Sequence, residues 1–247
     1  MNDWLAILRD GAAHWGLTLT LEQEARFARY LELLCQRNAQ VNLTAITAPE
    51  EIAAKHFLDA MTVETIWHPA PGHRAIDIGT GAGLPGIPLA IRHPQVAFVL
   101  NDSTRKKVDF LAEVAAELPL PNVQPRWARA EALGRDAAYR GQFHTAFARA
   151  VAHLGQLIEY ALPLLVTNGL LIAMKGPSGE EEIAQSHPAL QALGGTIAQV
   201  SRFTLAGVGE RLLIAVRATT PAPAKYPREG SAMKKRPLYL DRPHPTS

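Results

Sequence analysis

The sequence predicts a doubly wound α/β fold with a seven-stranded, mostly parallel sheet. Three observations lead there. From residue 74 onward, short apolar runs of strand length alternate with helical stretches, the pattern of βαβ units whose sheet is covered on both faces. The first of these runs ends in an acid followed by Gly79, Gly81, Gly83 and Gly86, four glycines in eight residues. Such a strand-to-helix turn is where an open α/β sheet takes its ligand. The chain is also large enough for this fold: 247 residues, 47% hydrophobic and 19% charged, an ordinary globular composition that can bury a sizeable core.

The elements follow in order. Trp4, Leu5, Leu8, Ala12 and Trp15 keep helical spacing, and Gly16 supplies a stop. Thr20-Leu-Glu-Gln23 has the form of a capping box opening a second helix. Phe27, Tyr30, Leu31, Leu34 and Cys35 share its apolar stripe, which makes Cys35 an inert buried thiol. A polar turn is expected from Arg37 to Thr44, and Pro49-Glu50-Glu51 opens a third helix carrying His56, Phe57 and Met61. Strands are expected over Arg74–Ile78, Val96–Leu100, Val123–Trp127, Thr145–Ala148, Gly169–Met174, Thr196–Leu205 and Leu212–Arg217. Helices fall between them, notably Lys106–Leu118 and Leu154–Leu165. Beyond Ala218 lie six of the eighteen prolines and no periodicity, so this stretch is expected to be extended or disordered. The expected organisation is a helical extension over 1–65 packed on the catalytic domain, that domain over 66–217, and a basic tail over 218–247.

Charge is divided unevenly. Residues 218–247 carry six basic and two acidic residues, net +4, whereas 1–217 carry 19 basic and 21 acidic, net −2. This asymmetry fits an anionic partner or a solubilising tail. One cysteine excludes an intrachain disulfide and a cysteine-based zinc cluster, and no metal site is expected. No apolar run reaches the roughly 18 residues a membrane span needs. Met1-Asn2-Asp3-Trp4 lacks the build of a secretory signal. The expectation is a cytoplasmic, monomeric protein.

The glycine turn reads Ala75-Ile-Asp77-Ile-Gly79-Thr-Gly81-Ala-Gly83-Leu84-Pro-Gly86. Glycine permits positive φ and lets a ligand approach the backbone. Gly81-Ala-Gly83-Leu-Pro-Gly86 satisfies the bare dinucleotide pattern, while the same residues satisfy the D-x-G-x-G-x-G loop of S-adenosylmethionine (AdoMet) methyltransferases. Asp77 favours the second. A carboxylate at a pyrophosphate site repels the ligand, whereas AdoMet carries a sulfonium and an ammonium and no phosphate. The second strand runs into Asn101-Asp102-Ser103-Thr104, where the Asp102 carboxylate can accept from two ribose hydroxyls and Ser103 or Thr104 can cap the next helix. Ala130 and Glu131 follow the third strand, where small residues can flank an adenine and the acid can bond its edge.

Taken together these motifs resemble one family. Val41-Asn-Leu-Thr-Ala-Ile46, Lys55-His56-Phe-Leu-Asp59, Asp77–Pro88, Asp102-Ser103 with Lys106-Lys107, Ala130-Glu131, Ala148-Arg149-Ala150-Val151, Ala173-Met-Lys175-Gly176, Gly209-Glu-Arg211 and Tyr226-Pro-Arg228 resemble the RsmG (GidB) family, bacterial guanine-N7 methyltransferases of 16S ribosomal RNA. The resemblance covers roughly residues 5–238. It departs at Ala60, where the family often has Ser, and at Asn101, where it often has Leu. It implies a class I, Rossmann-like methyltransferase domain, with 16S rRNA or the small ribosomal subunit as partner. AdoMet would be bound by Asp77, Gly79, Gly81, Gly83 and Leu84, by Asp102, Ser103 and Thr104, by Ala130 and Glu131, and by Arg149.

Phe147-Ala-Arg149-Ala-Val151 lacks the Asn/Asp-Pro-Pro-aromatic motif that orients exocyclic amines, so a ring nitrogen is the better acceptor. Guanine N7 has a free lone pair and needs no general base, only in-line placement and exclusion of water. Arg149, Lys175 and Arg211, the candidate catalytic residues, fit either ion pairing within the fold or contact with RNA phosphate or guanine O6. Asn38, Asn42 and His56 fit either a pocket rim or helix capping. A methyltransferase with another acceptor, a nicotinamide oxidoreductase and a non-catalytic RNA-binding module are the alternatives. Asp77 argues against the oxidoreductase, and the intact AdoMet loop against the binding module.

Overall fold

The computed structural model describes residues 3–239. Its seven strands form one sheet in the order β3-β2-β1-β4-β5-β7-β6. They are β1 Arg74–Ile78, β2 Ala97–Asp102, β3 Val123–Trp127, β4 Phe143–Arg149, β5 Leu165–Lys175, β6 Gly195–Leu205 and β7 Gly209–Ala218. The pairs β1/β2, β2/β3 and β4/β5 are parallel and β5/β7 is antiparallel. By compactness the chain divides into two units. One is the chain up to Trp127 with Thr204–Gly209, the other Ala128–Phe203 with the chain from Glu210 onward. This cut falls inside 66–217 rather than at the boundaries suggested by composition.

The first unit begins with α1 (Asp3–His14) and α2 (Leu21–Val41). The capping box forms in both directions: Gln23 N–H donates to Thr20 Oγ1 at 3.2 Å and Thr20 N–H to Gln23 Oε1 at 3.1 Å. Two local expectations are corrected here. Arg37–Val41, expected as turn, continues α2, because none of these residues breaks a helix, and the helix closes at Asn42 in the left-handed region (φ 52°). Cys35 is exposed. The buried arc of α2 is centred on Phe27 and Leu34 and turns toward Leu33, leaving Cys35 just outside it.

A further helical run has α3 at Pro49–Ile52, a π turn at Ala53–Leu58, α4 at Asp59–Met61 and a 3₁₀ turn at Thr62–Thr65. Its Phe57 ring packs 5.1 Å from Phe27 and 5.2 Å from Tyr30. β1 leads to α5 (Gly86–Arg92) and β2 to α6 (Arg105–Glu117). Arg92 ties α5 back to the N-terminal helices through a two-point bond to the buried Glu64 at 2.9 and 3.0 Å. The helical run and α5 therefore share one core with β1–β3.

The second unit has α7 (Ala130–Leu133), α8 (Leu154–Ala161), α9 (Gly179–Gln185), α10 (His187–Leu193) and α11 (Gly230–Lys235). The segment after Ala218 corrects an expectation. Through Tyr239 it packs on this unit and forms α11. Residues 240–247 of the expected tail lie outside the described residues. Tyr226 and Met233 are buried. Arg140 donates to the carbonyls of Ala222 at 2.7 Å and Tyr226 at 2.6 Å, and Arg135 to that of Pro227 at 2.9 Å. Arg228 makes a two-point bond to Glu159, 2.7 Å to Oε1 and 2.6 Å to Oε2, and Glu159 is only 1% exposed. Periodicity is silent about such a segment because it is held by arginines distant in sequence reaching its carbonyls.

Two predictions follow from these ion pairs. Arg228→Ala leaves Glu159 charged, buried and unpaired, which costs about 3–5 kcal/mol; chemical denaturation should show that loss. An effect below about 1 kcal/mol would mean the segment is not held through this pair. Glu64 supplies the second. Burial pushes its carboxyl up, but hydrogen bonds from His93 and Arg92 outweigh burial and hold it below the usual carboxylate range. Its stabilising effect is complete above the unfolded value of about 4.3 and is lost as the pH falls through the lower folded value. The stability margin of wild type over Glu64→Gln should stay level from pH 7 to about 5 and shrink below about 4.3.

Candidate functional site

In the first unit the site is built at the carboxyl ends of β1 and β2. Asp77 is the penultimate residue of β1 and is 1% exposed. Its Oδ2 accepts from Thr80 Oγ1 at 2.5 Å and from Gly86 N–H at 2.8 Å. Asp77 thus lies beneath the glycine turn and braces both ends of it. Gly86 allows this closeness, since a Cβ there would come within 2.3 Å of Leu100 and 2.9 Å of the Asp77 carboxylate. Leu84 is buried in the turn.

The turn has an inner and an outer side. Gly83 (φ 100°) faces in, where a Cβ would lie 2.5 Å from Ile87 and 3.0 Å from Leu111. Gly81 (φ 61°) faces out, and a Cβ on it would meet nothing within 4 Å. Gly79 also has positive φ, 66°. The Asp102 carboxylate joins this turn to the second strand: Oδ2 accepts from Gly81 N–H at 3.0 Å and Oδ1 from Thr104 N–H at 2.8 Å. Each oxygen keeps acceptor capacity beyond one N–H, so the residues fit a ribose diol placed beside the open face of Gly81. Thr104 is the N-cap of α6 without a side-chain bond, and Ser103 is exposed.

Sequence reasoning missed the residue that holds the turn from behind. Tyr30, read only as part of an apolar stripe, is fully buried and donates its hydroxyl to the Ala82 carbonyl at 2.7 Å. A polar tip on a core-stripe aromatic was the available signal. Asn38, Asn42 and His56 gather at the end of α2, where Asn38 also lines a small cavity with Ile46 and Ile52. Asn38 exchanges two 2.8 Å bonds with the backbone of Thr44, Asn42 closes α2, and His56 Nε2 lies 2.8 Å from Thr44 Oγ1.

In the second unit the three candidate cations share one edge of the sheet. Arg149 ends β4 and pairs with Met174, Lys175 ends β5 and pairs with Leu212, and Arg211 precedes Leu212 on β7. Their environments differ. Lys175 is 10% exposed at its side chain, donates to the Ala152 carbonyl at 2.6 Å, and pairs with Glu182 at 2.7 Å. Glu182 also accepts from Leu154 N–H at 2.6 Å, so this lysine fastens the turn after β4 to α9. Arg211 donates to the Glu210 carbonyl at 2.8 Å. Ala130 and Glu131 open α7. Glu131 lines a cavity of about 580 Å³ with Arg129, Tyr160 and Ser231, and burial pushes the Tyr160 hydroxyl up. Among the described residues no cluster of three potential metal ligands occurs, and no helix is long and apolar enough to cross a membrane.

Comparison with known proteins follows from this geometry. The sequence profile of a family described as "GidB: rRNA small subunit methyltransferase G" matches residues 23–212. A protein of Deinococcus radiodurans named "Ribosomal RNA small subunit methyltransferase G" is 44% identical over 234 residues, 94% of this chain and 92% of that protein. Among solved structures, a 16S rRNA (adenine(1408)-N(1))-methyltransferase mutant from Catenulisporales acidiphilia aligns with TM-score 0.54 at 17% identity, covering 67% of this chain and 91% of that one. A SAM-dependent methyltransferase from Aquifex aeolicus aligns with TM-score 0.54 at 16% identity, covering 72% and 97%. These two show the fold.

The brace behind the turn yields a prediction. Tyr30→Phe keeps the ring and leaves the Ala82 carbonyl without its donor, which costs on the order of 1–3 kcal/mol. Hydrogen exchange should rise at Gly81–Leu84 more than across β1. Equal protection in the variant and the wild type would remove Tyr30 from the site.

Proposed function

The chain belongs to the rRNA small subunit methyltransferase G family, and we propose that it transfers the methyl group of AdoMet to N7 of a guanine in the 16S RNA of the small ribosomal subunit. It is an AdoMet-dependent rRNA methyltransferase. The observation that carries the cofactor assignment is Asp102, whose two oxygens span Gly81 and Thr104 beside a glycine face with open space. A carboxylate there suits a neutral ribose and a cationic ligand, and is unfavourable to a pyrophosphate.

When bound, AdoMet supplies an electrophilic methyl on a sulfonium. The residues of the chain bind and orient. Gly81 offers the backbone for close approach, and Gly83 packs the turn inward and so sets that face. Gly79 and Leu84 are assigned to the cofactor by family resemblance, Asp102 takes the ribose, and Ser103 and Thr104 follow it along the same edge. Ala130, Glu131 and Arg149 are assigned to the cofactor by family resemblance. Asp77 supports this surface from below. Arg149 and Arg211 are assigned to hold RNA phosphate or guanine O6. Lys175, paired with Glu182, acts by positioning the turn after β4. A ring nitrogen as acceptor agrees with this residue set: attack by the N7 lone pair releases no proton, so no base is required. The working form in this proposal is a cytoplasmic monomer, which light scattering on the purified protein tests.

Incubation with labelled AdoMet and undermethylated small-subunit RNA, followed by nuclease digestion and mass spectrometry, should place the label on guanine N7. Label on an exocyclic amine or a 2′-hydroxyl would overturn the acceptor assignment. Asp102→Ala should weaken AdoMet binding by about 1.5–3 kcal/mol, the usual loss for hydrogen bonds to a charged group. Lys175→Ala should leave cofactor affinity nearly intact and lower methyl transfer. Equal cofactor-affinity losses in the two variants would collapse the distinction.

A further inference from the structure

At the free edge of the sheet, β3 ends in Trp127. Ile7, Leu21, Trp127 and Val151 are the exposed large hydrophobic side chains among the described residues, and Trp127, 53% exposed, is the aromatic one. Edge strands are normally blunted with charge or proline against unwanted contacts, and β3 does carry Pro125 and Arg126. An indole left open at its end runs against that practice. The ring is nonetheless fixed. Its Nε1–H donates to the Ser103 carbonyl at 3.0 Å, and the Arg105 guanidinium lies over it, 5.2 Å from the centroid. Arg105 is held in turn by Asp109 at 2.9 Å.

The charge around the ring is also costly for the fold. Arg105, Lys106 and Lys107 occupy the first turn of α6, which contains no acid. A helix N-terminus is the positive end of its dipole, so cations are unfavourable there. Arg105 and Lys106 are exposed, so burial of their stems does not account for them. Arg105 has Asp109 and the indole as partners within the fold, but the open face of the indole and the exposed Lys106 are left without such a reason; an anionic ligand with flat faces explains both.

We infer that Trp127 with Arg105, flanked by Lys106, is a stacking platform for an unpaired base of the RNA substrate. Single-stranded nucleic acid is held by aromatic faces that take bases of any sequence and by cations that follow the phosphates. Trp127 pairs with Asp102 in the sheet register, so the platform adjoins the carboxylate assigned to the cofactor ribose. A strand stacked there would be anchored beside the methyl donor without its target base being read at this point. This inference rests on the RNA-methyltransferase reading and adds a contact for nucleotides other than the target.

The test uses the full chain, a single-stranded uridine 12-mer, and the undermethylated subunit RNA. Trp127→Ala should weaken 12-mer binding by about fivefold to a hundredfold, the range for loss of one stacked base. Trp127→Phe should recover most of it. Lys106→Gln should reduce the slope of log affinity against log salt by about 0.7. AdoMet affinity should stay at the wild-type value in all three, and each variant should remain folded at the assay temperature. Unchanged 12-mer affinity in Trp127→Ala would overturn the platform, and so would an equal loss of AdoMet affinity, which would make the ring a wall of the cofactor site. Loss of activity on the assembled subunit with unchanged 12-mer binding would overturn it in favour of a protein contact. If wild type binds the 12-mer through Trp127 yet methylates no subunit RNA, the platform stands and the enzymatic reading fails.

Discussion

A buried carboxylate with two donors beneath a glycine turn organises the cofactor side of this protein. At 1% exposure the Asp77 carboxyl group is costly to bury without hydrogen bonds, and the Thr80 hydroxyl and Gly86 N–H supply them. Meeting that requirement draws both ends of the turn onto the end of β1. The middle then bows outward, which sets Gly81 on the open side and Gly83 against Ile87 and Leu111. Asp102 captures the bowed backbone from the neighbouring strand, and Tyr30 holds it from the helical side. The second helix, the first strand and the second strand thus meet in one hydrogen-bonded unit. The surface proposed for AdoMet is its outer face.

This arrangement also explains which parts of the fold were legible in the sequence. The inner strands β1, β2, β4, β5 and β7 were readable because a sheet covered on both faces demands short, continuous apolar runs, whereas the edge strands β3 and β6 are largely exposed and were placed by their position between helices and turns. The glycine turn and Asp102 were readable because positive φ and a strand-terminal acid are local requirements of one residue type. Tyr30 was not readable as a brace, since its hydroxyl bonds a carbonyl 52 residues away. The bracing role of Asp77 is hidden from sequence for a related reason. Sequence shows that an acid ends the strand, but whether its carboxylate faces out to a ligand or in under the loop depends on the turn above it.

The segment after Ala218 illustrates the same limit from the side of charge. Its net charge and prolines pointed to an open tail, yet Arg228 is the counterion of the buried Glu159, and Arg135 and Arg140 bind its carbonyls. Net charge counts arginines without saying which are already paired. Lys225, Lys234 and Lys235 remain exposed on this docked segment. The basic character expected to meet an anionic partner is therefore presented from a packed surface as far as Tyr239.

A similar sorting applies to the three cations at the carboxyl edge of the second unit, and it bears on the chemistry. Methyl transfer to a ring nitrogen moves positive charge from sulfur onto the base. A cation fixed against N7 would oppose that movement, so cations in such a site are useful only where they grip phosphate or O6. Lys175 falls outside this condition because it is paired within the fold: Glu182 binds it, and the ammonium holds the Ala152 carbonyl. Its charge is therefore kept within the fold and screened from the acceptor. Arg149 and Arg211 carry delocalised charge on planar forks, suited to two-point contact with phosphate. Under the proposed assignment, one lysine that holds the turn after β4 and two arginines that would orient the substrate suffice to place a nucleophile without deprotonating it, which is the demand of an N7 acceptor.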